Sequence, residues 1–126
     1  MSLKSITLPS VELKYTAEYI AASLWKYGVA KVGSITMMPY LKDDTVFNIA
    51  YINIDSWCDS ENAFKLMNNL KDPLKENRIN HDLNLFWNVE INNHNSGDID
   101  LYNFTRKFDT NFFSNNVDNP NPIFVN

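Results

Sequence analysis

The stretch Val46 to Asp55, VFNIAYINID, constrains this chain more than any other. Its β-branched and aromatic residues alternate with polar ones over several positions, which is the period of a strand with two different faces. A strand of that kind needs neighbours on both edges and a layer against its apolar face, so the flanking segments must supply them.

They do so in a regular order. Ser5 to Val11, containing ITLPSV, is a short strand that Pro9 ends or places near an edge. A helix begins at Thr16, whose hydroxyl caps the free amides, with Glu18 at the positive end of the dipole; Ala17, Ile20, Ala21 and Leu24 form one apolar face, and Gly28 stops it. Lys31 to Met38 is a second strand, and PYLKDD reads as a loop with turn chemistry at Pro39, Asp43 and Asp44. After the Val46–Asp55 strand, a second helix starts at Ser60, turns Ala63, Phe64, Met67 and Leu70 inward, and ends at Asp72-Pro73. Leu83 to Ile91, LNLFWNVEI, is a fourth strand.

The order β-α-β-β-α-β over residues 5–91 predicts an α+β, ferredoxin-like domain: a four-stranded antiparallel sheet with two helices on one face. Residues 1–92 form the domain and residues 93–126 an Asn- and aromatic-rich extension. Of 19 asparagines, ten fall from Asn92 onward, the composition expected of an AT-rich genome. Within the extension, Leu101, Phe104, Phe108 and Phe112 are spaced as the apolar stripe of a short helix over 98–113, with Asp98 as its cap. That stripe packs on the parent domain or docks on a partner.

Side chains that share a strand face are fixed by parity. Away from the helices this places Thr7 and Pro9; Ser34, Thr36 and Met38; Phe47, Ile49, Tyr51 and Asn53; and Phe86, Asn88 and Glu90. The face is aromatic and aliphatic, with lysines only at strand ends.

Within that frame FNIAYINI resembles the third strand of an RNA recognition motif (RRM): Ala50 takes the small position, Tyr51 an aromatic one and Ile52 the aliphatic one. ITLPSV is similar to the first-strand signature, with Ile6 and Leu8 as its aliphatic frame and Thr7 at the base-stacking position. AYINIDSW before the second helix, and Phe86-Trp87 in the fourth strand, further resemble RRM-like proteins of large nucleocytoplasmic DNA viruses. The resemblance implies single-stranded RNA on the open face, with Tyr51 stacking a base, Phe47 and Phe86 flanking it, and Asn53 and Asn88 reading base edges. It also implies an intracellular setting, in the host cytoplasm, a virus factory or a virion.

The residues themselves leave a second occupant open. Phe47, Ile49, Met38 and Phe86 make an apolar patch that suits a protein partner, a second copy or the chain's own extension. The formal net charge of −4 opposes non-specific nucleic-acid binding, which depends on displaced phosphate counterions.

Catalytic chemistry finds no foothold. His81 and His94 lack a metal-ligand pattern, and the single Cys58 has neither a CxxC partner nor a nearby histidine. Asp43-Asp44 and the Asp55–Asp59 pair read as solvated loop carboxylates, and Trp25, Trp57 and Trp87 as core. The expectation is a non-enzymatic binding module without cofactor or metal and without a membrane span.

Overall fold

The structure is a computed structural model that describes residues 4–72, 77–82, 85–91, 104–109, 111–113 and 124–125. Its elements are β1 (Ser5–Glu12), α1 (Ala17–Lys26), β2 (Ala30–Lys42), β3 (Thr45–Cys58), α2 (Glu61–Leu70), β4 (Arg78–Asp82), β5 (Leu85–Asn88), β6 (Glu90–Ile91), β7 (Phe104–Lys107) and β8 (Phe124–Val125), with a helical turn at 111–113.

Both long helices form where their caps require. Thr16 Oγ1 accepts from the Tyr19 amide at 3.0 Å, and Ser60 Oγ accepts from the Ala63 amide at 3.1 Å. Gly28 closes α1 with φ 72°, a conformation that costs glycine nothing, while the Val29 amide donates back to the Leu24 carbonyl at 2.8 Å. Ser60 Oγ also donates to the Gly28 carbonyl, so the end of one helix is tied to the start of the next.

The fold is α+β with antiparallel strand pairing, but the sheet is not four-stranded. Its order is β6-β1-β3-β2-β7, and β8 pairs with the far end of β3 at Trp57 and Cys58. The expected fourth strand is divided. Leu85–Asn88 pairs with Arg78–Asp82 in a separate hairpin, and only Glu90–Ile91 joins β1. The hairpin forms because Ile79 and Trp87, opposite one another, bury together against α1, where Tyr15 and Tyr19 meet Trp87 edge-on at 5.8 and 6.0 Å.

Two further expectations are corrected. PYLKDD is not a loop, since β2 runs on through Pro39 to Lys42 and pairs with β3 as far as Lys42↔Thr45. Asp43 and Asp44, at φ 51° and 64°, form the two-residue turn, in the left-handed backbone that hairpin twist demands. The extension is not a helix over 98–113 either. Phe104–Lys107 is a strand on the free edge of β2, from Met37↔Phe104 to Ser34↔Lys107, and Leu101 lies outside the described residues.

The core lies between sheet and helices. Parity puts Ile6, Ile52 and Ile35 in one buried row and Leu8, Ala50 and Met37 in the next, facing Ile20, Leu24, Ala63, Leu66 and Leu70. The extension joins this core. Phe113 is 2% exposed, with its ring 5.4 Å from Trp25, and Phe108 and Phe112 pack beside it. Arg106 Nε donates to Glu18 Oε1 at 3.1 Å, which clamps β7 to the first turn of α1. The packed core therefore continues past residue 92.

Candidate binding surfaces

The sheet face turned away from the helices carries one row across five strands. Glu90, Thr7, Tyr51, Thr36 and Thr105 stand side by side on β6, β1, β3, β2 and β7. Its neighbour holds Ser5, Asn53, Ser34 and Lys107. Hydrogen bonds run along these rows, with Thr36 Oγ1 and Thr105 Oγ1 2.8 Å apart and Asn53 Nδ2 donating to Ser34 Oγ at 2.9 Å.

Parity places Tyr51, Thr7, Asn53, Ile49 and Phe47 on this face, as expected, but their exposure differs from what a stacking platform needs. Tyr51 and Thr7 are each only 5% exposed. A base stacks on a ring whose face is open to solvent, and Tyr51 offers none. Burial also raises the Tyr51 phenol above its ordinary value. Thr7 Oγ1 is buried without a hydrogen-bond partner among the described residues. Asn53 is exposed but holds Ser34, and the half-buried Phe47 ring lies 6.2 Å from Tyr40, whose hydroxyl bonds with Ser10 Oγ at 2.8 Å.

Phe86 and Asn88 are not on this face at all. They belong to the β4–β5 hairpin, where Phe86 stands opposite Asn80 and Asn88 opposite Arg78. Phe86 is 43% exposed, and the Arg78 guanidinium sits over its ring, 4.3 Å from the centroid. Arg78 is not among the residues that the sequence pattern singles out, because RINHD follows the Asp72-Pro73 break; the alternation of Ile79 with polar neighbours is its one strand signal.

Two members of the extension's stripe are likewise spent internally. Phe108 and Phe112 are half-buried against the core and pack on each other at 4.9 Å. Phe104 takes part as a strand residue opposite Met37.

Single apolar side chains stay exposed on α2, the hairpin and β6, at Phe64, Leu85, Phe86 and Ile91, and a group of them on the β2–β3 arm. β1 pairs with β3 only as far as Glu12↔Phe47 and β7 with β2 only as far as Met37, so among the described residues the outer rungs have no flanking strand. Leu41 and Val46 form one such rung, and Leu41 is 68% exposed. Parity puts Met37, Pro39 and Leu41 on one face of β2, with Asn48 and Val46 beside them on β3. That face looks onto the start of α1 across a cavity of about 360 Å³, where Leu13, Tyr15 and Ala17 form the opposite wall. Glu18 at its edge is engaged by Arg106.

Lys31, one of the strand-end cations expected beside Tyr51, is paired with Asp55 at 3.4 Å. Cys58 is fully buried. His94 and the His81 side chain lie outside the described residues, among which no helix is long and apolar enough to cross a membrane. No protein-family model, curated protein or solved structure matches this chain.

Proposed function

We propose that this chain is a non-enzymatic binding module of ferredoxin-like descent whose partner is a protein held between α1 and the β2–β3 arm. The observation that carries this reading is the arm itself. Leu41, Val46 and Leu13 are large apolar side chains left in water around a formed groove, an arrangement that gains free energy only when something covers it. The flanking rings of Tyr40 and Phe47 stiffen the arm, which reduces the entropy lost on docking. The ferredoxin-like descent is supported by the central order β1-β3-β2 with Glu90–Ile91 beside β1, where that pattern has its fourth strand.

RNA is the second reading, and one observation favours it. Arg78 over Phe86, with Asn80 and Asn88 on the same hairpin face, combines a cation, an exposed ring and two amides. On this reading the RRM resemblance survives in function with its site moved off the sheet. The net charge of −4 and the buried Tyr51 weigh against it.

The two are separated with Leu41→Asp/Val46→Asp, which places charge on the exposed arm beside the groove. Wild type and variant are compared by sedimentation velocity at rising concentration and by anisotropy of a labelled random RNA at low and physiological salt. We expect self-association or partner capture that the double variant removes, with RNA affinity weak and equal in both. Salt-sensitive RNA binding that Arg78→Ala abolishes, with the double variant behaving as wild type throughout, would sink the protein reading.

A further inference from the structure

A second cavity, of about 410 Å³, lies between α2 and the β4–β5 hairpin, remote in sequence from the arm. It arises because α2 is tied to the end of α1, by Ser60 on the Gly28 carbonyl and by Asn62 Nδ2 on the Tyr27 carbonyl at 3.0 Å, while the hairpin packs on α1 through Ile79 and Trp87. The space left between them is within the ~300–1,000 Å³ range of small-ligand pockets.

Its chemistry is ordered by position. The buried Val29, Leu66 and Ile79 give it an apolar floor. Asn62, Lys65 and Asn69 stand three and four residues apart, on one face of α2. Across from them the edge of β4 contributes Asn77, Arg78, Ile79 and Asn80 in succession. Two cations face the cavity, no carboxylate does among the described lining residues, and Lys65 makes no ion pair among them. Such a basin in an otherwise acidic chain concentrates small anions. Simple anion binding does not account for the rest of the lining. Asn62 keeps its carbonyl oxygen toward the cavity after its Nδ2 bonds to Tyr27, and Asn80 presents donor and acceptor side by side, the pattern that reads the edge of a planar heterocycle, while the Tyr27 ring with the apolar floor suits its faces.

We propose that this cavity binds a nucleoside phosphate, its phosphate held by Lys65 and Arg78 and its base set among the asparagine amides over the Val29–Leu66–Ile79 floor. Arg78 is suited to the phosphate because its guanidinium, 4.3 Å over Phe86, is already oriented by the ring. The same chemistry comes from a free mononucleotide or from the phosphorylated end of a strand. The site is separate from the groove beside the arm and does not depend on what that groove holds.

The test is isothermal titration of the full chain with AMP, GMP, CMP and UMP, alongside adenosine and ribose 5-phosphate. At least one nucleotide should bind with a dissociation constant of about 1 mM or tighter, and adenosine and ribose 5-phosphate each about tenfold more weakly. Lys65→Glu, on an exposed helix position that folding does not need, should weaken the nucleotide at least about tenfold, and Asn69→Asp should do the same, whereas Leu41→Asp should leave it unchanged. A 5′-phosphorylated trinucleotide that binds more tightly than the mononucleotide identifies the strand end as the source; equal or weaker binding identifies the free nucleotide. No binding of any nucleotide at about 5 mM, or binding that Lys65→Glu leaves intact in a chain with unchanged melting temperature, overturns the proposal.

Discussion

Phe113→Ala tests whether the extension belongs to the core. Phe113 is 2% exposed and its ring meets those of Trp25, Phe112 and Phe108 at 5.4, 5.1 and 6.2 Å. Truncating a ring so enclosed removes its transfer free energy and leaves a cavity that the three remaining rings only partly fill, together about 3–5 kcal/mol. Domains of this size are stable by about 5–15 kcal/mol, so the loss is a large share of the total. Unfolding entropy of roughly 2.1 cal/mol/K per residue over 126 residues converts the loss to a melting-temperature drop of about 11–19 °C. Differential scanning calorimetry reads it, with Phe112→Ala as the internal comparison. Phe112 is only half-buried, and its replacement should cost about half as much. A drop for Phe113→Ala below about 4 °C would show that the extension is not part of the cooperative unit and that the domain is complete without it.

Four other outcomes are expected. Thr7→Val exchanges the buried hydroxyl, unpartnered among the described residues, for a methyl group of similar size and should raise the unfolding free energy by about 1 kcal/mol, read as a higher urea midpoint at constant m; a lowered midpoint would mean that Thr7 Oγ1 holds a water or ligand. Ser60→Ala removes the cap of α2 and its bond to Gly28, and should cost about 1–2 kcal/mol in the same assay. Asp43-Asp44→Asn-Gly relieves left-handed backbone at the hairpin turn and should stabilise the chain by up to about 1 kcal/mol; a loss of stability would argue against the two-residue turn. The Tyr51 phenol titrates above its ordinary value in the folded chain, so the folded state keeps a proton that the unfolded chain releases near pH ~10. Its contribution is therefore whole below that pH and declines as pH rises through the folded pKa; urea midpoints between about pH 9 and 11.5 should fall more steeply in wild type than in Tyr51→Phe, and equal slopes would contradict the assigned burial.

The elements governed by local chemistry were legible in the residues. Thr16, Ser60 and Gly28 act at helix ends within a few bonds of their own backbone, so both helices start and α1 stops where those residues stand. The alternation through Phe47–Ile54 likewise determines which side chains share a face, because strand parity is a property of one strand alone.

What parity does not carry is who covers the face or which edge is filled. Tyr51 lies on the face that its position dictates, yet its 5% exposure depends on packing that no neighbouring residue in the chain announces. Leu101, Phe104, Phe108 and Phe112 have helical spacing, but the open edge of β2 captures Phe104–Lys107 through backbone hydrogen bonds and Arg106 adds its bond to Glu18, 88 positions away. Propensity is a weak local preference, and an unpaired strand edge beside a buried core outweighs it. The division of Leu83–Ile91 between a hairpin and the main sheet has the same cause, since Trp87 finds its deepest burial against Tyr15 and Tyr19 of the α1 region. Local residue chemistry suffices for the helices, the strand faces and the α+β class; the strand neighbours, the closing of Tyr51 and the cavities beside the arm and the hairpin arise from packing, because those depend on contacts between residues far apart in the chain.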